Sequence, residues 1–200
     1  MTIFKFFFVA LLFLISLVSM TAFSWGEAIA AESEMFLRDA PINVFTDEEA
    51  RIRFRLNKSY RPLHYAETEF NTVNDGVVVD SSNGLMWQKT GSDNMLTFTQ
   101  ADDYIKSLNE KNYNGKNDWR LPTIEELVTL MSADKNDSGL FINPAFSASQ
   151  TLCWSSDTRS VKTPFSIRKT AAWGVNFVFG YVFWGPLPYK FYVRAVRRLP

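Results

Sequence analysis

Few side chains in this 200-residue sequence could act as a nucleophile or a general base, because it contains one histidine and one cysteine. His64 lies in a charged segment near the N-terminus, and Cys153 precedes Trp154 in an apolar, strand-like stretch. A serine or cysteine nucleophile needs a base within hydrogen-bonding reach, and His64 is the single histidine that could serve. We therefore interpret Cys153 as a buried small hydrophobe and His64 as a surface residue.

Paired carboxylates are another common catalytic arrangement, and here they occur as neighbours in the chain. Asp102-Asp103 and Glu125-Glu126 both fall in segments with a helical pattern. Adjacent residues on an α-helix point about 100° apart, so neither pair could flank one glycosidic bond. The sequence therefore predicts a protein that is not an enzyme.

One segment has a partial resemblance to a calcium-binding loop. Asp134, Asn136, Ser138 and Gly139 match the first half of such a loop, but the twelfth position holds Ala145. A calcium loop normally places a bidentate glutamate there. We therefore expect no metal site, and the sequence indicates no other cofactor.

The formal net charge of zero hides an uneven distribution of charge along the chain. No acidic residue follows Asp157, whereas residues 31–157 carry 20 acidic and 12 basic residues. The last 43 residues contain eight bases: Arg159, Lys162, Arg168, Lys169, Lys190, Arg194, Arg197 and Arg198. This asymmetry predicts a basic surface that attracts an anionic polymer. Alternatively, these bases pair with the acidic first half of the chain inside the fold.

Six residues of the last third are candidates for contacting a ligand. Four are basic and lie in the polar segment 159–169, which we expect to be exposed. Two are aromatic and lie near the turn predicted at Gly185-Pro186, where exposed rings could stack on a sugar, although a place in the core is the alternative for them. The candidates are Arg159, Lys162, Arg168, Lys169, Trp184 and Tyr189.

Two segments have the alternating pattern of a β-strand. Residues 175–184 are apolar on both alternating faces, which predicts one strand buried on both sides, and a final strand is predicted from about 190 to 197. Residues 51–56, RIRFRL, alternate arginine with an apolar residue, which is compatible with an amphipathic edge strand.

Two helices are predicted, over residues 97–109 and 123–132. The start of the second is well marked, because Thr123 is a good N-cap and Glu126 lies at the position that completes a capping box. An apolar stripe at helical spacing follows, formed by Ile124, Leu127, Val128 and Met131.

Several multi-residue motifs follow one another in a recognisable order: DGVVVDSSNGLMWQK (75–89), YNGKNDWRLPTIEELVTL (113–130), FINPAF (141–146), CWSSD (153–157), AWGVNF (172–177) and YVRAVR (192–197). Their order resembles the Lcl C-terminal domain family over roughly residues 71–200. The residues that carry this resemblance are Trp87, Trp119, Arg120, Leu121, Pro122, Thr123, Glu126, Trp154, Trp173, Arg194 and Arg197. The family takes its name from the end domain of a bacterial collagen-like surface adhesin. The resemblance implies an exported domain with a C-type-lectin-like fold, and a structural role for Arg194 and Arg197.

We therefore expect an α+β, C-type-lectin-like domain with two helices and a small, mainly antiparallel sheet whose last strands come from residues 173–197. This domain should occupy residues 71–200, after a charged N-terminal extension at 31–70. Residues 1–30 read as a signal peptide, because an apolar run is followed by Ala28-Ile29-Ala30. An uncleaved membrane anchor is the alternative for this segment.

The predicted function is that of an exported, non-enzymatic binding module located in the periplasm, at the outer surface or outside the cell. The leading ligand is an anionic polysaccharide, from the charge asymmetry and the resemblance to the adhesin. The alternative is a protein-interaction subunit or accessory of an envelope or pilus-like assembly. No nucleic acid partner is expected, and membrane contact is expected only through an uncleaved N-terminal segment.

Overall fold

The computed structural model of the protein describes residues 37–200, so the predicted signal peptide lies outside the described residues. Eight strands are present in the described range: β1 (Asn43–Val44), β2 (Phe70–Thr72), β3 (Val77–Asp80), β4 (Leu85–Gln88), β5 (Leu152–Lys162), β6 (Ile167–Asn176), β7 (Tyr181–Pro186) and β8 (Val196–Arg198). The α-helices of the same range are α1 (Asp47–Arg53), α2 (Phe98–Glu110) and α3 (Ile124–Thr129).

The strands form two sheets of four strands each. The first sheet has the order β1-β5-β6-β7, in which β1 runs parallel to β5 and the other pairs are antiparallel. The second has the order β2-β3-β4-β8 and is antiparallel throughout. The closing strand β8 thus joins a sheet whose other members come from the start of the domain.

The prediction of an α+β, C-type-lectin-like fold with one small sheet is wrong. The described residues are mostly β, with two four-stranded sheets and only short helices besides α2. The second sheet depends on β8, which pairs with β4 through Leu85 and Arg198, more than 100 residues apart in the chain. Sheet membership of this kind is decided by long-range pairing, which local propensity does not report.

The expected edge strand at residues 51–56 is also wrong, because residues 51–53 lie in helix α1 and residues 54–55 form a turn. The Thr46 side chain accepts a hydrogen bond from the Glu49 backbone N–H at 3.1 Å. Three acidic residues occupy the first turn of the helix, and Arg51 and Arg53 its last turn. The cap and these charges favour a helix, and they outweigh the alternating pattern.

Residues 175–184 form a hairpin instead of one continuous strand. Strand β6 ends at Asn176 and β7 begins at Tyr181, with a turn between them. The Asn176 side chain accepts hydrogen bonds from the N–H groups of Val178 and Phe179, and Gly180 has φ of +71°. The turn therefore depends on local asparagine and glycine chemistry that the alternating pattern does not reveal.

The helix starts follow the sequence closely. Thr97 caps α2 and Thr123 caps α3, and each forms a complete capping box with the residue three positions later, which confirms the box predicted at Thr123. Helix α3 is shorter than predicted and ends at Thr129. The chain leaves the helix there because the Leu130 carbonyl accepts from the Asn143 N–H at 2.9 Å.

Helix α2 packs against both sheets and so connects their cores. Phe98 and Ala101, near its start, contact Trp154 of β5. Leu108, near its end, belongs to a cluster with Val77 of β3. Burial of these apolar side chains contributes most of the free energy that holds helix α2 against the two sheets.

The tryptophans that carry the family resemblance are all buried. Trp87, Trp154 and Trp173 are fully buried, and Trp119 is 2% exposed. The indole N–H of Trp119 donates to the Tyr113 carbonyl at 3.0 Å. These rings are core residues, so they are excluded as a surface for stacking a ligand.

The arginines of the closing segment bind protein groups. Arg194 is fully buried, and its guanidinium donates to the Gln88 and Ser147 carbonyls at 3.0 and 3.2 Å. Arg197 forms an ion pair with Asp118 at 2.6 Å. Both side chains therefore tie the C-terminal segment to loops that lie far away in the sequence.

Candidate ligand-binding site

The eight late bases do not form one basic patch. Arg194 is buried and Arg197 pairs with Asp118, as described above. Two more bases pair with acids of the N-terminal part: Arg159 with Asp47 at 2.5 Å, and Arg198 with Asp39 at 3.6 Å. Three of the late bases therefore pair with acids, and buried Arg194 donates to carbonyl groups instead. The exposed late bases that form no ion pair with a described acid are Lys162, Arg168, Lys169 and Lys190.

The bases of the β5–β6 hairpin point to different faces. Lys162 lies opposite Ile167, and Arg168 lies opposite Val161 in the register of the two strands. Because successive side chains of a strand alternate between faces, Lys169 shares a face with Ile167 and Lys162, whereas Arg168 points to the other face. The predicted basic segment is thus an exposed hairpin with positive charge on both sides.

A cavity of about 390 Å³ lies beside the edge strand β7. Trp184, 43% exposed, forms part of its wall. Its other lining residues are Asp47, Ser59, Tyr60, Tyr181, Val182 and Phe183. We call this cavity the Trp184 pocket. It combines an accessible indole with a carboxylate and several hydroxyl groups.

Arg159 lies beside the Trp184 pocket, in contact with two of its lining residues, Trp184 and Asp47. Its guanidinium carbon lies 4.4 Å from the centre of the Trp184 ring, which is cation–π geometry. The Asp47 carboxylate accepts from the same guanidinium. The ion pair and the ring together fix the orientation of the Arg159 guanidinium.

The loop before the second sheet supplies Tyr60 to the pocket in an uncommon backbone conformation. Tyr60 has φ of +59°, which is rare for a bulky residue. The Asn57 side chain accepts from the N–H groups of Ser59 and Arg61, and the Tyr60 carbonyl accepts from Val182 of β7 at 2.9 Å. The loop is thus fastened to the edge strand. Strain of this kind, on the order of 1–3 kcal/mol, concentrates at functional sites.

The Tyr60 hydroxyl is kept protonated. Burial raises its pKa above the ordinary value, and the Asp47 carboxylate raises it further, against the opposing effect of Arg51 and Arg159. A protonated phenol can both donate and accept a hydrogen bond. The Trp184 pocket therefore offers a ring face, a carboxylate, hydroxyl groups and a guanidinium, which suits a polar ligand that also has an apolar face.

A second cavity, of about 480 Å³, lies on the other side of the first sheet. Lys169 faces this cavity, with its ammonium nitrogen 5.8 Å from the centre of the Phe98 ring. The wall carries charges of both signs, since Asp39, Asp102 and Lys106 also line it. This cavity lacks a concentration of one charge sign and contains none of the other candidate residues.

The structure therefore brings together two of the six predicted ligand residues, Arg159 and Trp184. Lys162 and Arg168 lie on the exposed hairpin, and Lys169 faces the second cavity. Tyr189 is 60% exposed, in the turn after β7, and does not line the Trp184 pocket. The predicted set is thus distributed over several surfaces.

Four polar residues that line the pocket were not predicted: Asp47, Ser59, Tyr60 and Tyr181. The first three lie in the segment interpreted as a charged extension, where no motif indicated a role. Asn57 followed by Ser59 was a usable signal, because asparagine favours tight turns. Contact of this turn with β7 could not be inferred from the sequence.

The described residues contain no group of three or more histidine, cysteine, aspartate or glutamate side chains that could hold a metal ion. In residues 37–200, no helix has the length and apolar character needed to cross a membrane.

The family model described as the Lcl C-terminal domain matches residues 76–197 of the chain. No curated protein and no solved structure matches the chain. Arg159, Tyr181 and Trp184 lie inside the matched range, whereas Asp47 and Tyr60 precede it. The Trp184 pocket is thus built from the family domain together with the segment before it.

Proposed function

We propose a glycan-binding function for this chain, which belongs to the Lcl C-terminal domain family. In this proposal the protein is an exported, non-enzymatic binding module that holds one sugar of an acidic polysaccharide in the Trp184 pocket. The cell envelope or the cell exterior is the proposed location.

The accessible Trp184 ring, next to the Asp47–Arg159 ion pair, is the observation that carries this proposal. Sugar rings have apolar C–H faces that stack on aromatic rings, and hydroxyl groups that need donors and acceptors at their edges. The indole supplies the face, while Asp47 accepts and Arg159 donates. Tyr60 adds a hydroxyl that is held in place by the loop.

The preference for an acidic glycan is supported by the charge near the pocket. Arg159 could contact a carboxylate or sulfate of the bound sugar. Lys162 and Arg168 lie further along the same hairpin and pair with no described acid. Such exposed charges attract a polyanion over about 8 Å at physiological ionic strength, so binding should weaken as salt is added.

A protein partner is the second candidate function, in which the chain is an accessory or subunit of an envelope or pilus-like assembly. Phe179, Trp184 and Tyr189 are exposed aromatic side chains in or near the two ends of β7. Aromatic residues are enriched at protein interfaces. A contact that rests on apolar burial should resist moderate salt, in contrast to a polyanion.

Replacement of Trp184 by alanine tests the pocket. Binding of heparin and of a neutral glycan would be measured on the same surface, with Met95→Ala as control, since Met95 is equally exposed at 42% and does not line the pocket. We expect Trp184→Ala to weaken heparin binding about tenfold or more, as for other aromatic anchors, and Met95→Ala to leave it unchanged. Equal binding by wild type and Trp184→Ala would rule out the pocket.

The contribution of charge needs a separate variant. Changing Arg159, Lys162, Arg168 and Lys169 together to serine should weaken heparin binding and leave neutral-glycan binding less affected. Absence of heparin binding by the wild-type protein would remove the acidic-glycan proposal and favour a protein partner.

Export is tested by N-terminal sequencing of the protein recovered from the cell envelope. The proposed cleavage after Ala30 requires a chain that begins at Ala31. Recovery of the full-length chain from the inner membrane would instead support the uncleaved anchor.

A further inference from the structure

The β5–β6 hairpin extends beyond the rest of the first sheet. Strand β1 pairs with β5 only at Thr158 and Arg159, and β7 pairs with β6 no further than Ala171. Residues 161–170 are all exposed, and their strand pairing is with residues 160–168 of the same hairpin. We call this segment the hairpin finger.

The end of the hairpin finger is apolar. Phe165 is 97% exposed, and Ile167 and Val161 are 59% and 52% exposed. Single exposed hydrophobic residues are common, but Phe165 at the turn, with Ile167 and Val161 exposed on the strands behind it, is typical of an interaction site.

Bases lie directly behind this apolar end. Lys162 and Arg168 are each three residues from Phe165, in the two strands that the turn 163–166 joins. Lys169 follows, and no acid occurs between Asp157 and the C-terminus. The finger therefore has an apolar end followed by a positively charged zone.

The apolar and basic residues are not separated onto two faces. Ile167 shares one face with Lys162 and Lys169, and Val161 shares the other with Arg168. A groove of a protein partner would require one apolar face. A membrane interface instead sorts groups by depth, with apolar groups below the headgroups and cations at the phosphates.

The turn of the finger satisfies its own backbone groups. The Thr163 N–H donates to the Ser166 carbonyl at 2.8 Å, and the Ser166 N–H donates to the Thr163 hydroxyl at 3.0 Å. Between them, Pro164 has no backbone N–H to satisfy. Entry into a medium with little water therefore leaves few unpaired donors, which keeps the cost low.

We infer that the hairpin finger binds the surface of a bilayer that contains anionic phospholipid. Phe165, at the turn, enters the boundary between headgroups and acyl chains, whereas Ile167 and Val161 lie level with the bases. Lys162 and Arg168 contact lipid phosphates. An amphipathic element at this interface is buried by about 5–10 Å, which is enough to admit the side chain of Phe165. This contact uses a surface separate from the Trp184 pocket, so it goes beyond glycan binding.

A fluorophore on the finger tests the inference in the full chain. Pro164→Cys would carry an environment-sensitive label, and Ser138→Cys, in an exposed loop elsewhere, would carry the same label as control. Cys153 is buried and should not be labelled. Vesicles of phosphatidylcholine would be compared with vesicles that also contain phosphatidylglycerol.

The expected result is a blue-shifted, stronger signal from the Pro164→Cys label with phosphatidylglycerol vesicles only, and no change from the Ser138→Cys label. Phe165→Ser, added to Pro164→Cys, should raise the lipid concentration needed for half of the response about tenfold or more. Trp184→Ala should not alter the response, which separates this inference from the glycan proposal.

Several results would overturn the inference. They are an unchanged Pro164→Cys signal with anionic vesicles, an equal response of the two labels, or full retention of the response by Phe165→Ser. A Pro164→Cys signal that changes with protein concentration but not on addition of vesicles would identify the finger as a contact between two copies of the chain.

Discussion

The Arg159 guanidinium stacks on the Trp184 ring at 4.4 Å while it donates to the Asp47 carboxylate at 2.5 Å. This relationship joins the hairpin β5–β6, the edge strand β7 and the start of α1. It also places Arg159 beside the Trp184 pocket, apart from the bases of the hairpin finger. A residue singled out for its charge is thus positioned by an aromatic ring and an acid.

The Asp47–Arg159 ion pair should contribute little to stability. The Asp47 side chain is 51% exposed, so water screens the pair. A double-mutant cycle with Asp47→Ala and Arg159→Ala, measured by urea unfolding, should give a coupling free energy below about 1 kcal/mol that decreases with salt. A coupling of several kcal/mol would show that the pair is a structural element of the fold.

Trp119 and Trp184 should differ strongly when each is replaced by alanine. Trp119→Ala removes a buried ring and its hydrogen bond to Tyr113, so it should lower the free energy of unfolding by about 3 kcal/mol or more. Trp184→Ala removes a partly exposed ring and should cost less than about 1 kcal/mol. Similar losses for the two variants, measured by chemical denaturation, would contradict the assignment of one ring to the core and the other to the pocket.

The two capped helices permit a matched comparison. Thr123 is buried, and its hydroxyl accepts from the Glu126 N–H and donates to the Arg38 carbonyl at 3.1 Å. Thr123→Ala should therefore cost about 1–2 kcal/mol, measured as a loss in the free energy of unfolding. Thr97→Ala removes a similar but more exposed capping box and should cost less, about 0.5–1 kcal/mol. A larger loss of unfolding free energy for Thr97→Ala than for Thr123→Ala would show that burial of the cap does not determine the cost of its removal.

The Asp118–Arg197 ion pair should make stability depend on acid pH. The hydrogen bond from Arg197 holds the pKa of Asp118 below its usual value. Since the pKa is lower in the folded than in the unfolded state, this contribution is complete above the unfolded value of about 3.9 and is lost as the pH falls through the folded value. Asp118→Asn should therefore be less stable than wild type at pH 7, and the difference should shrink below pH 4. A constant difference in unfolding midpoint from pH 7 to pH 2 would contradict this linkage.

Cys153 should be unreactive in the folded protein. Burial raises the pKa of its thiol to about 11, against a smaller opposing effect of Arg194. The thiolate that reacts with disulfide reagents is then scarce at pH 8, and the side chain is fully buried. Titration with a chromogenic disulfide should detect no thiol before denaturation and one thiol after it. Rapid reaction of the native protein would indicate that β5 opens readily.

The features predicted correctly from the sequence are mainly local. The start of α3 could be located because a capping box involves side chains only three residues apart, and the box at Thr97 is an equally local signal for α2. Where a competing local signal existed, as between the alternation of residues 51–56 and the Thr46 cap, the sequence did not reveal which one would prevail. The turn at Gly180 was missed because the apolar alternation of residues 175–184 competed with the local signal of Asn176 and Gly180.

The sequence by itself determined the starts of α2 and α3 and the family, because capping bonds and ordered motifs are written in short stretches of chain. Tertiary structure alone decided the second sheet, the pairing of Arg159 with Asp47 and of Arg197 with Asp118, and the meeting of Tyr60 with Trp184. The two residues of each ion pair, and Tyr60 and Trp184, lie some 80 to more than 120 residues apart in the chain. The second sheet is completed only by β8, at the end of the chain. Charge and aromatic content indicate which groups could interact, but the free energy of an ion pair or a stacked ring depends on distance and solvent exposure, which only the folded chain defines.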